Sequence, residues 1–171
     1  MQRTVWHRMD ALSRRLTPVL LTLVLVIVGV VASHIPGWAR VAPLLSLLAV
    51  YHWAVYRPDL MPAYAVFAIG FLQDALAGTP MGLFTLLYML AYGVVVSQQR
   101  FLTGKAFFVV WIGYVLISAG VLALGWILIS ALSAGVVDPE ALLFQYLLGV
   151  GLYPLLARLF LGWQTRILRP V

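Results

Sequence analysis

The chain contains no cysteine. Disulfides, thiolate nucleophiles and cysteine metal sites are therefore excluded. Charge is also scarce, because only 9% of the 171 residues are Asp, Glu, Lys or Arg, and only five of them are acidic. A soluble domain carries about 25% charged residues. Histidine is sparse as well, and His7, His34 and His52 lie far apart. That spacing builds no metal-ligand cluster, so each histidine is expected at a membrane interface. No nucleophile elbow, phosphate loop or Gly-rich nucleotide signature occurs. No catalytic, cofactor-binding or metal-binding residue is assigned, and no cofactor is expected.

What the chain has instead is apolar length. It is 64% hydrophobic, with a mean hydropathy of +1.03. Such a composition cannot cover a water-facing surface, and it defines an all-α integral membrane protein. Six apolar segments are read, at about 16–33, 41–56, 59–77, 80–97, 106–133 and 140–160. They form one transmembrane domain, a six-helix bundle. Helices are required because lipid offers the backbone no hydrogen bonds. Pro154 removes one donor in the last segment, so a kink is expected there.

The cations orient the bundle. Arg3, Arg8, Arg14 and Arg15 precede the first span. Arg57, Arg100, Lys105, Arg158, Arg166 and Arg169 fall on the same side if the helices alternate. Only Arg40 falls on the other side, where Asp138 and Glu140 also lie. The positive-inside rule makes the cation-rich side cytoplasmic. Both termini, the basic segment 1–15 and the tail 161–171, are then inside. A net charge of +6 distributed in this way orients a membrane protein, and no nucleic-acid partner is inferred. Val5, Met9, Leu12 and Leu16 have helical spacing, which suits an amphipathic helix on the anionic inner leaflet. Ser13-Arg14-Arg15 before an apolar run is close to an export signal. No cleavage site ends that run and five more apolar segments follow, so a retained first helix is the simpler reading. The tryptophans and tyrosines lie largely near span ends, as an aromatic belt would.

One stretch stands out, GFLQDALAGTPMG at 70–82. Gly78 suits the left-handed residue after a helix. Thr79 suits an N-cap and Pro80 a first helical position. A tight outer hairpin between the third and fourth spans is predicted, with Asp74 about one turn beneath it. Gly70, Asp74 and Gly78 share a face by their i, i+4, i+8 spacing, and small residues there let another backbone approach. Gln73 can offer amide donors on an adjoining face. Three roles are open to Asp74: tying the hairpin by accepting from Thr79 or the next helix N-terminus, contacting another subunit, or transferring a proton or ion.

The same stretch, continued as GFLQDALAGTPMGLFTLLYML at 70–90, resembles the rod shape-determining protein MreD family of the bacterial inner membrane. The matching positions are Asp74, Gly78, Thr79, Pro80 and Gly82. Length and topology agree with it along nearly the whole chain. The resemblance implies a multi-pass, non-enzymatic scaffold or regulator of lateral peptidoglycan synthesis. The implied partners are MreC, through its single membrane anchor, and indirectly MreB, the glycosyltransferase RodA and its transpeptidase partner. The resemblance further implies a fold similar to the substrate-binding subunits of energy-coupling-factor vitamin transporters. A small-molecule binding subunit is therefore the alternative, with Gln73, Asp74 and Trp53 as cavity candidates. The partner and packing candidates are Gly70, Gln73, Asp74, Gly78, Thr79, Pro80 and Gly82. The sequence leaves a homo-oligomer open.

Overall fold

The computed structural model describes residues 3–33, 44–102, 104–133 and 139–167. The first connection with His34 and Arg40, Asp138, and Arg169 lie outside the described residues. So do the side chains of the basic N-terminal segment, with His7, and that of Arg166. Every regular element among the described residues is helical. In order they are α1 (Arg3–Ser33), α2 (Leu45–Tyr56), a 3-10 turn (Pro58–Leu60), α3 (Ala63–Ala77), α4 (Leu83–Ser97), α5 (Gln99–Leu102), α6 (Phe107–Ser133) and α7 (Pro139–Ile167). The basic segment and the first apolar segment form one continuous helix that includes Pro18. Likewise α7 runs through Pro154 without ending.

α2 is the axis of the fold. All ten residues from Ser46 to Val55 are buried. A helix that is apolar nearly all round is buried, and LSLLAVYHWAVY is interrupted only by the buried polar side chains of Ser46 and His52, apart from the tyrosine hydroxyls and the Trp53 indole. α1, α4, α6 and α7 pack against it, and the short α5 closes one end. There the Gln99 side chain donates to the Val55 carbonyl at 3.5 Å. The core thus runs along α2, from Leu47 and Leu48 through Tyr51 to Val55, and is completed by Val66, Leu87, Tyr114, Tyr153 and Phe160.

Polarity is not distributed as in a soluble protein. Thr22, Ser46, His52, Gln73, Asp74, Thr85 and Ser118 are buried, while Leu20, Phe67, Phe108, Leu116, Leu155 and many other large apolar residues are exposed. A soluble monomer does not expose apolar area on this scale. α6 and the Pro139–Gly162 part of α7 are long and apolar enough to cross a membrane, and only 17% of each hydrophobic window is buried. A core helix of a soluble protein of that length would be mostly buried, so lipid is the solvent these faces require.

The tyrosines differ from the expected belt. Tyr51, Tyr114 and Tyr153 cluster in the interior, with Tyr114 and Tyr153 stacked at 4.6 Å between ring centroids and Tyr51 edge-on to Tyr114 at 5.3 Å. The Tyr51 hydroxyl donates to the Val110 carbonyl at 2.7 Å, which satisfies its polar end away from water. His52 also differs from its expected interfacial place. It is fully buried, within 5.0 Å of the Phe160 ring and 4.7 Å of the Tyr56 ring, and neither nitrogen has a hydrogen-bond partner.

Candidate functional site: a carboxylate that caps the α3–α4 hairpin

α3 ends at Ala77, and Gly78 follows with φ 66°, in the left-handed region. A side chain at such a φ clashes with its own backbone, so glycine suits this position. The chain then turns through Thr79, Pro80 and Met81. Gly82 is again left-handed, at φ 97°, and α4 begins at Leu83. This start is three residues later than the one predicted at Thr79-Pro80. Thr79 is not the N-cap, because Gly82 occupies that position.

Glycine has no side chain with which to cap a helix. The first N–H groups of α4 would be left without acceptors, and Leu83 and Thr85 in that turn are buried. Asp74, on the last full turn of α3, provides them. Its Oδ1 accepts from the Phe84 amide at 2.9 Å and the Thr79 hydroxyl at 3.0 Å. Its Oδ2 accepts from the Gly82 amide at 3.1 Å, the Thr85 amide at 3.2 Å and the Thr85 hydroxyl at 3.0 Å. The two remaining amides of that turn are also satisfied. Leu83 donates to the Pro80 carbonyl at 3.1 Å, and Leu86 to the Gly82 carbonyl at 2.9 Å. The N-terminal turn of α4 is thus fully paired, mostly by one side chain from the preceding helix.

The side chain is 1% exposed. A carboxylate offers about four lone-pair sites, and five donors converge on this one. It is saturated as an acceptor. Its position on the positive end of the α4 dipole adds a favourable charge interaction. Chemically the arrangement holds two helices in register. It presents no free acceptor to a substrate or cation.

Gly70 lies one turn below Asp74 on the same face. A Cβ there would fall 2.6 Å from the Thr85 Cα and 2.9 Å from its nitrogen, so α3 and α4 touch backbone to backbone at this point. The Gly70–Asp74 face is therefore filled by α4 of the same chain. Gly78 lies further along that spacing, but a Cβ on it would meet nothing within 4 Å, so its contribution is the turn conformation. Thr79 reaches Asp74, Pro80 accepts from Leu83, and Gly82 supplies the left-handed N-cap.

Gln73 belongs to a second polar group. Its Oε1 accepts from the Ser46 hydroxyl of α2 at 3.2 Å. The Ser46 hydroxyl also pairs with the Tyr88 hydroxyl of α4. The Gln73 amide thus serves as an acceptor, where a donor role was expected. This group ties α2, α3 and α4 together directly beside the Asp74 cap. Replacing Tyr88 by phenylalanine should cost about 0.6 kcal/mol and at most about 1.7 kcal/mol, the average and the maximum found for single hydrogen bonds between membrane helices. Thermal unfolding in detergent would measure it, and no loss at all would show that the Ser46–Gln73 bond suffices.

Phe84, Thr85, Ser46 and Tyr88 are the residues that sequence reasoning missed. One signal was available for the first two. A glycine N-cap at 82 needs a cap from elsewhere, and Asp74 is the nearest acid. Among the described residues no group of three His, Asp or Glu side chains comes together to hold a metal ion.

The fold and its site define a helical membrane protein, with apolar faces turned outward and a carboxylate-capped helical hairpin inside. The family model for rod shape-determining protein MreD matches residues 9–161. The chain belongs to that family, a bacterial membrane family that acts in rod-shape determination. Comparison with the curated proteins returns no match, and neither does comparison with solved structures.

Proposed function

We propose that this protein is a non-enzymatic scaffold and regulator of lateral cell-wall synthesis. It works with the membrane anchor helix of MreC and, indirectly, with RodA, its transpeptidase partner and MreB. The observation that carries this reading is the family match over residues 9–161. In this reading α1, α2, α3, α4, α6 and α7 each cross the inner membrane once, both termini are cytoplasmic, and the architecture is that of energy-coupling-factor substrate-binding subunits. Arg57, Arg100, Lys105 and Arg158 support the orientation, since they follow α2, follow α4, precede α6 and lie late in α7. At 12 residues, α2 rises only about 18 Å. That length is tolerable for a helix wrapped in protein, because irregular backbone beyond its ends is shielded from lipid.

A scaffold needs shaped surfaces and no reaction centre. The saturation of Asp74 supports that reading over proton transfer, and the engagement of Gln73 and Asp74 in helix pairing speaks against a vitamin cavity built on them. Because α4 fills the Gly70 face, an anchor helix would dock on a face now turned to lipid. Depleting the protein in a rod-shaped host should make the cells round, and tagged protein should co-purify MreC. Cells that stay rod-shaped, together with a reproducible small molecule in native mass spectra, would overturn the scaffold reading in favour of a transport subunit.

A further inference from the structure

Pro154 leaves a gap in the hydrogen bonding of α7. It has no amide hydrogen, so it cannot donate to the Val150 carbonyl four residues back. The Trp111 indole of α6 takes that acceptor instead, at 3.1 Å. Two further contacts fasten the same half of α7 to α6. The Tyr146 hydroxyl donates to the Val115 carbonyl at 3.1 Å. The Tyr114 hydroxyl lies so close to Gly149 that a Cβ there would be 3.2 Å from it. Past Pro154 the attachment changes. Ala157 and Phe160 are buried, and the Phe160 ring packs at 5.0 Å from the His52 ring and 5.8 Å from that of Trp53. This half of α7 covers α2 with apolar side chains.

What it covers is polar. Among the described residues, five buried side-chain atoms have no hydrogen-bond partner. One is the Ser130 hydroxyl. The other four are both nitrogens of His52, the Trp53 indole nitrogen and the Tyr153 hydroxyl. These four gather where α2 meets α7, since the Tyr153 ring is 5.7 Å from that of Tyr51. An unpaired polar group in the interior penalises the arrangement that buries it, because the same group bonds to water once uncovered. Apolar packing therefore closes this contact, and the four unpaired atoms oppose it. A helix bends most readily where one of its own bonds is missing. In α7 that place adjoins the opposed contact.

We propose that α7 is hinged at Pro154, and that its Leu155–Phe160 part is a lid that opens and closes over His52 and Trp53 of α2. Trp111 holds the half before the hinge on α6 while the half after it swings. Opening hydrates the unpaired atoms and gives up the Phe160 packing, so the two positions are close in free energy and both are populated. The lid gives the bundle two shapes, whichever partner the bundle serves.

The test uses the lack of native cysteine, which makes a single introduced thiol unambiguous. The full chain in detergent is reacted with N-ethylmaleimide, which attacks the thiolate and so reports where water reaches. Ala157→Cys and Val66→Cys place thiols at two positions that are both 0% exposed, so the closed structure protects them equally. Ala157→Cys should react at least about tenfold faster, because local opening uncovers the lid and leaves α3 closed. Adding Pro154→Ala, which restores an amide donor toward Val150, should bring its rate down toward that of Val66→Cys. Adding His52→Leu, which removes two unpaired nitrogens, should also slow it, with an unfolding temperature equal to or above that of the parent. Equal rates for the two thiols would overturn the proposal. So would an Ala157→Cys rate that neither Pro154→Ala nor His52→Leu lowers. A reduced unfolding temperature in His52→Leu would overturn it as well, by making the ring a packing group that favours the closed contact.

Discussion

Asp74→Ala should destabilise the folded protein by about 3 kcal/mol or more, since each buried donor left unpaired costs about 1–3 kcal/mol. Three backbone amides, those of Gly82, Phe84 and Thr85, lose their acceptor at once. So do the hydroxyls of Thr79 and Thr85. The sum falls short of five independent penalties, because the hydroxyls can rotate and the turn is half open to its surroundings. Asp74→Asn should fall between the two, since it keeps one oxygen and sets an amide group against donors. Thermal unfolding in detergent measures both variants. If Asp74→Ala unfolds like the wild type while cell shape is lost, the carboxylate acts in chemistry or recognition and not as a cap.

Gly70→Leu should be the most damaging single change in the hairpin. The obstacle is backbone, the Cα and N of Thr85 at 2.6 and 2.9 Å from a new Cβ, and backbone cannot move aside as a flexible side chain can. Overpacking typically costs about 1–3 kcal/mol, and even Gly70→Ala meets it. Leucine must in addition push α4 away from α3, which stretches the Asp74 bonds to Phe84 and Thr85. The two losses are therefore coupled, and the double variant Gly70→Leu, Asp74→Ala should cost less than the sum of the single ones. Yield of monodisperse protein and unfolding temperature give the readout. A Gly70→Leu protein as stable as the wild type would mean that the α3–α4 contact is looser than the structure has it.

The hairpin also shows how much of the site could be read from the residues alone. Gly78 after a helix end is local chemistry, because a left-handed φ is disfavoured for any residue with a Cβ. The start of α4 was misplaced for a physical reason. Thr79 and Pro80 are good helix starters in isolation, but the cap here comes from eight residues before Gly82, on another helix. Gly70 and Asp74 sharing a face follows from the helical period. What that face meets does not.

Taken alone, the sequence determined the helical membrane class, the paucity of chemistry and the family, all of which rest on composition, segment length and a short run of turn residues. Only the tertiary structure decided that α2 is the buried axis, that His52 lies inside, that five donors meet on Asp74, and that Ser46, Gln73 and Tyr88 join across three helices. The reason is the solvent. In water the apolar period of a helix marks its inner face. In lipid both inner and outer faces are apolar, so which side of α2, α4 or α6 meets protein is settled only when the helices pack.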